Sequence, residues 1–202
     1  MLAWAIEVAV ESGLFSDVVV STEDAEIAGV ALERGASVDR RPERLASDPV
    51  PIVRVLEEFI ERRGVDDGAL CVLIANCPFR AADDVRQAFE RFRETGATAT
   101  ISVVRYDWRR PEWALKHDGP WLRPGWAHEP TPLQRPQPFV CPTGAVRWID
   151  VGAFRAKPVA YPERLSAFEV PWWRGLDIDD EEDLVLAGLV AFALERGYPL
   201  GT

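Results

Sequence analysis

Residues 174–197 read "RGLDIDDEEDLVLAGLVAFALERG" and crowd six carboxylates (Asp177, Asp179, Asp180, Glu181, Glu182 and Asp183) into positions 177–183. Two chemistries compete for them. Carboxylates at a helix start accept hydrogen bonds from free backbone N–H groups and meet the positive end of the helix dipole. That suits Asp180 to Asp183. Asp177 and Asp179 precede the helix, with Ile178 between them. In an extended segment, residues two apart face the same side, so this pair presents two carboxylates together. Mg2+ favours such a site: one or two carboxylates, waters, and phosphate oxygens from a substrate.

Two further segments carry polar groups where strands should end. "VVVSTEDAEIA" offers Ser21 and Thr22. They either cap the following helix, with Thr22 as the N-cap, or present hydroxyls to a base or sugar. "LIANCPFRAADDV" offers Asn76, Cys77 and Arg80. Arg80 could pair with a phosphate or carboxylate, or be an ordinary surface arginine. Cys77 as a nucleophile needs a nearby base. The only histidines, His117 and His128, are not obvious candidates for one.

The elements that must position these groups follow from hydrophobic periodicity. "AWAIEVAVESG" has helical spacing and ends at Gly13; "DVVVST" reads as a short strand. "TEDAEIAGVALERG" is a helix ending at Gly35, and "VPIVRVLEEFIERRG" a helix ending at Gly64. "ALCVLIA" is a continuous apolar run, as in a strand covered on both faces. "AADDVRQAFERFRETG" returns to helix and "ATATISVV" to strand. Strand and helix therefore alternate to about residue 104. The fold class expected is α/β: a Rossmann-like, mostly parallel sheet with helices on both faces and ligands at the carboxyl ends of the strands. Residues 105–138 break the alternation with Trp108, Trp113, Trp121 and Trp126 among many prolines. That segment is too rich in large apolar side chains for a disordered linker. It reads either as an excursion packed on the domain or as an interface. "FVCPTGAVRWIDVGAF" returns to strand around an expected Thr-Gly turn, and the acidic stretch leads into a final helix. Residues 1–202 are expected to form one domain, with 105–138 as an extended arm.

Composition narrows the function. The formal net charge is −10, which argues against a nucleic-acid partner. Apolar residues make up 48% of the chain, enough for a real core. No apolar run reaches the roughly 18 residues of a spanning helix, so no membrane is expected. "MLAWAIEVAVESG" lacks the basic start of a signal peptide, so the expected location is cytoplasmic. Cys71, Cys77 and Cys141 are widely spaced, which disfavours a thiolate zinc site or a disulfide framework.

Taken in order, these segments resemble one family, the cytidylyltransferases that activate acidic sugars, of the CMP-sialic acid synthetase type. "SGLFSDVVVSTEDAEIAGVALERGASVDRRPERLASD" is similar to that family's strand, its "VSTDDEEIA" segment and its "RPEELASD" loop. "LIANCPFRAADDV" sits where the family has "LQPTSPLRTAEDI", and "QRPQPFVCPTGAV" where it has "RQDLPxxYxxNGAI". "LDIDDEEDLVLA" is close to "xDIDTEEDLELA". The resemblance implies transfer of CMP from CTP to a sugar acid of the nonulosonic class, with release of pyrophosphate and Mg2+ as cofactor. It implies Asp177 and Asp179 as catalytic metal ligands. It implies Ser21, Thr22, Asn76 and Arg80 on the nucleotide, with Ser21 near the cytidine, and Gln134 and Thr143 on the sugar. It also implies a homodimer through the 105–138 arm, which would lend residues to the partner's active site.

The departures are as informative. The family begins with a strand and a Gly-rich basic loop, "IPARGGSKRIPxKN", that cradles the triphosphate; this sequence matches from the helix that follows it. The family's Gln-Pro-Thr-Ser becomes Ile74, Ala75, Asn76 and Cys77. The residues flanking Gln134 become Leu133 and Arg135, and the Asn of "NGAI" becomes Thr143. Metal ligands look intact while phosphate and sugar grips look eroded. The alternative expectation is therefore a non-catalytic relative, acting as a nucleotide-binding or partner subunit.

Overall fold

The computed structural model of the chain describes residues 1–47, 49–106, 111, 114–125 and 139–201. Its elements run α1 (Leu2–Ser12), β1 (Val19–Thr22), α2 (Ala25–Glu33), β2 (Ser37–Arg40), α3 (Ile52–Arg63), β3 (Ala69–Val72) and α4 (Ala82–Thr95). They continue with β4 (Ala99–Arg105), β5 (Leu115–Asp118), β6 (Trp121–Pro124), β7 (Val140–Asp150), α5 (Val151–Ala156), β8 (Leu165–Glu169) and α6 (Glu181–Glu195). The alternation of strand and helix expected up to residue 104 is present. Gly13 and Gly64 end α1 and α3 with φ of 70° and 61°, a left-handed backbone that favours glycine. The N-cap of α2 is Asp24 rather than Thr22. The Asp24 carboxylate accepts from the N–H groups of Glu26 and Ile27 at 2.7 and 2.8 Å, while Thr22 Oγ1 accepts from Asp24 N at 3.1 Å.

β1 and β2 pair in parallel. A four-stranded sheet has the order β3-β7-β4-β8. β4 and β8 are parallel, and β7 runs against both β3 and β4. Three strands of this sheet therefore share one direction and β7 is reversed between two of them. Trp148 and Ile149, adjacent on β7, enter opposite core clusters. Since successive side chains of a strand face opposite ways, α4 lies on one face, with Val85, Ala88 and Phe92, and α3 on the other, with Leu56, Phe59 and Ile60.

The Thr143-Gly144 pair is not a turn. It lies inside β7, where five residue steps from Arg147 to Pro142 oppose two from Ile101 to Val103 on β4. The extra residues form a bulge, a device that re-aims side chains next to sites.

Asp39 of β2 anchors β1 to α3. Only 6% exposed, it accepts from Arg62 Nη2 at 2.6 Å and from Ser21 Oγ at 2.7 Å. Burial pushes its carboxyl upward, yet the Arg62 and Ser21 hydrogen bonds and the nearby Arg62 charge outweigh that and hold it below the usual carboxylate range. A depressed value means that the carboxylate stabilises the fold above its unfolded value, and that this is lost as pH falls through the folded one. Arg62→Ala should therefore cost about 3 kcal/mol near neutral pH. The difference from the parent should shrink in acid. Urea unfolding across pH checks both; a cost that stays constant with pH would contradict it.

Candidate active site

The segment after β3 and the segment before α6 meet. The N–H of Ile178 donates to the Asn76 carbonyl at 3.0 Å. Asn76 Nδ2 donates to the Asp179 carboxylate at 2.8 Å and to the Ile178 carbonyl at 3.4 Å. Asn76 thus grips the residue between the two aspartates and fixes one of them. Asp180 is the N-cap of α6, accepting from the N–H groups of Glu182 and Asp183 at 2.8 and 3.0 Å. The Asp183 carboxylate accepts from the N–H groups of Asp179 and Asp180 at 3.1 and 3.3 Å. The acidic stretch divides as its spacing predicts. Asp180 and Asp183 serve the helix start, and Asp177 and Asp179 stand ahead of it.

Burial pushes the Asp177 carboxyl above the usual range, and the charges of Asp179 and Asp183 push the same way. Among the described residues, no ion pair involves any of the six carboxylates at 177–183. Two mutually repelling carboxylates without a protein cation, one held by an amide, form a donor set that fits a hard divalent ion. Among the described residues no group of three or more His, Cys, Asp or Glu side chains is arranged to hold a metal. Any such ion here would lean on waters and on substrate oxygens.

Two glycines let the backbone segments close up. A Cβ on Gly144 would meet Ile74 Cδ1 at 2.8 Å, and one on Gly175 would meet Thr143 Cγ2 and Val104 Cγ1 at 2.7 Å. The bulge in β7 therefore packs under the Ile74–Cys77 segment, and the approach to Asp177 packs on the bulge. Thr143 Oγ1 is hydrogen-bonded to Ser102 Oγ at 2.6 Å, which turns its hydroxyl toward β4.

Arg80 sits elsewhere than a phosphate-gripping surface cation would. It is 4% exposed, and its Nη1 donates to the carbonyls of Ile74 and Ala145 at 3.1 and 2.6 Å. Burial lowers its pKa. It braces the loop carrying Asn76 from below, tying the Ile74 carbonyl to that of Ala145 in β7. Cys77 is buried too. Burial pushes its thiol up to about 11, with Asp177 and Asp179 adding to the effect, so thiolate is scarce at neutral pH.

Ser21 and Thr22 stand at the end of β1. The Ser21 hydroxyl is spent on Asp39, and Thr22 is buried beneath the start of α2. Among the described residues, no hydrogen bond joins this pair to the Asn76–Asp179 group. Gln134 lies outside the described residues. The contact that spacing could not reveal is Asn76 with Asp179, 103 positions apart. Ser102 and Gly175 also escaped sequence reading, and Gly144 was expected in a turn. The one signal for Gly175 is a glycine placed just ahead of the first aspartate.

Comparison with known proteins identifies the fold and the family. The chain superposes on CMP:2-keto-3-deoxy-manno-octonic acid synthetase complexed with CTP, with a TM-score of 0.61, 13% identity, and coverage of 96% of this chain and 88% of that one. That likeness defines the fold as the α/β fold of this synthetase. Residues 1–114 match the family described as Cytidylyltransferase, and the chain belongs to that family. It is 33% identical over 116 residues to N-acylneuraminate cytidylyltransferase A of Danio rerio, covering 55% of this chain and 26% of that protein. It is 24% identical over 189 residues to N-acylneuraminate cytidylyltransferase of Streptococcus agalactiae, covering 92% of this chain and 45% of that protein. The chain thus spans less than half the length of either relative. Among the described residues no helix is long and apolar enough to cross a membrane.

Proposed function

We propose that the chain acts in the cytoplasm as a Mg2+-dependent cytidylyltransferase, moving CMP from CTP to an acidic sugar of the nonulosonic class. The observation that carries this reading is the Asp177–Ile178–Asp179 segment clamped by Asn76 beyond the end of β3, in a chain of this family. The sugar hydroxyl oxygen forms a bond to the α-phosphorus of CTP, the bond from that phosphorus to the bridging oxygen breaks, and pyrophosphate leaves. The hydroxyl proton passes to solvent. Asp177 and Asp179 would hold Mg2+, which when bound neutralises charge on the phosphates and positions them. Asn76 fixes one Asp179 oxygen, leaving the other for the ion. Arg80 acts from below as a positioning residue, holding the Ile74 carbonyl and with it the loop of Asn76. Ser21 and Thr22 would border the cytidine from β1; Thr143 and Gln134 would border the sugar. A pyrophosphate-release assay with CTP, Mg2+ and a panel of nonulosonic acids tests the reading. Product CMP-sugar supports it, and release that does not depend on Mg2+ contradicts it.

One observation favours a second reading. Among the described residues the site supplies carboxylates but no exposed cation, since Arg80 is buried. A partner subunit that binds nucleotide without turning it over would show the same geometry. Binding of CTP without turnover across the sugar panel would select it.

We also propose that a second copy of the chain covers the hairpin of β5 and β6. Every residue of both strands is exposed, including Leu115, Trp121 and Leu122 at 58%, 69% and 57%. A two-stranded ribbon is marginal without something packed on it. The expected result is a dimer by sedimentation for the parent chain at about 10 μM and a monomer for Trp121→Glu. A parent chain that sediments as a monomer would remove the proposal.

A further inference from the structure

We propose that Asp84 holds Arg174 away from Asp177 and Asp179, and so leaves those two carboxylates open to a divalent cation. The inference deepens the cytidylyl-transfer reading and rests on Asp177 and Asp179 as the ligands of the ion. Asp84 is a positioning residue, because it acts through Arg174. Arg174 is the cation nearest to the aspartates in sequence. It precedes Asp177 by three residues, a stretch of chain no longer than about 11 Å. An arginine and an aspartate side chain close such a gap between them. Asp177 and Asp179 carry no ion pair among the described residues. A released guanidinium would pair with them and cancel the charge that a divalent ion needs.

Asp84 prevents that release. It stands in the first turn of α4 with its side chain 4% exposed. Its Oδ1 accepts from Arg174 Nη1 at 2.9 Å, and its Oδ2 accepts from Ala81 N at 2.8 Å. One oxygen thus fixes the carboxylate to the helix start and the other holds the arginine. The guanidinium also lies over the Trp173 ring, 5.0 Å from its centroid, and that ring meets Phe79 edge-on at 6.3 Å. The hold is incomplete, since Arg174 Nε is buried without a partner. An arginine carries five N–H donors, and the Asp84 oxygen that could have taken a second one is committed to Ala81. Arg174 therefore keeps the means to bind another carboxylate once Asp84 loses its charge.

A buried carboxylate needs a cation whatever its function, so the pair also has a plain structural use. The two roles part when the charges are removed one at a time. A brace alone predicts that loss of the Asp84 charge lowers stability and leaves ion affinity unchanged. Sequestration predicts that the same change weakens the ion, and that removing the Arg174 charge as well restores it.

Binding of Mn2+ without CTP, read by electron paramagnetic resonance, tests this, since Mn2+ accepts the oxygen ligands that suit Mg2+. Asp84→Asn keeps an acceptor for Ala81 N and frees Arg174; its Mn2+ affinity should fall at least about tenfold. Adding Arg174→Gln should return the affinity to within about threefold of the parent. Circular dichroism checks that each variant is folded. Where Asp84→Asn alone does not fold, Asp84→Asn with Arg174→Lys takes its place. Lysine keeps the freed charge, reaches water more readily, and should show the same loss. Parent-like affinity in the variants that free the cation would overturn the proposal. So would a loss that Arg174→Gln does not restore. Asp177→Asn separates this failure from failure of the metal reading. Mn2+ binding lost in Asp177→Asn but kept in Asp84→Asn would end the sequestration alone. Mn2+ binding absent from the parent, or unmoved by Asp177→Asn, would end both.

Discussion

Asp177→Asn and Asp179→Asn are each expected to lower Mg2+-dependent pyrophosphate release at least about 100-fold while leaving the fold intact. Each variant keeps the shape of the side chain and removes one charge from the pair that would hold the ion. The two should differ in stability. Burial, Asp179 and Asp183 all disfavour the charged form of Asp177. An acid raised in the fold opposes folding once ionised, and this is relieved as pH falls through the raised value. Asp177→Asn should therefore raise Tm at neutral pH while abolishing turnover, the signature of a residue kept for function at a cost to stability. Asp179→Asn keeps an oxygen for the Asn76 amide and should shift Tm less. The same raised value makes protons compete with Mg2+ above the ordinary carboxylate range, so turnover should fade on the acid side earlier than an unperturbed aspartate would dictate. Turnover equal to the parent in either variant would end the metal assignment.

Trp148→Ala is expected to cost about 3–5 kcal/mol of unfolding free energy. Trp148 is 2% exposed, and its ring lies 4.5 Å from Phe89, 5.3 Å from Phe15 and 6.4 Å from Phe92, centroid to centroid. It also donates from Nε1 to the Val85 carbonyl at 3.3 Å. Truncation removes the aromatic centre of the face between α4 and β7, and these rings are too large to collapse into the space. Trp148→Phe should cost less, chiefly the lost hydrogen bond of about 1 kcal/mol and some packing. A denaturant titration in which Trp148→Ala loses under about 1 kcal/mol would show that this cluster does not hold the sheet to α4.

Local patterns made much of this legible. The alternation of strands and helices to residue 104 followed from periodicity and from Gly13 and Gly64, because those signals are set within a few residues. The division of the acidic stretch followed as well, since capping is a local geometry. What could not be read depends on pairing at a distance. The direction of β7 was hidden because an apolar strand has the same pattern whether it runs with or against its neighbours. Thr143-Gly144 carries the residues of a turn, but β4 pairs on both sides of it and makes it a bulge. Arg80 carries the chemistry of a phosphate ligand, yet the carbonyls of Ile74 and of Ala145 in β7 draw it inward. The grip of Asn76 on Asp179 joins segments that only the folded sheet brings together.

The most direct measurement is a calorimetric titration of CTP into the purified chain, with and without Mg2+. Saturable binding that requires Mg2+, and that is lost in Asp177→Asn, is the predicted result. A folded chain that takes up no CTP under either condition, or takes it up equally without Mg2+, would contradict the assignment of Asp177, Asp179 and Asn76 as a nucleotide–metal site.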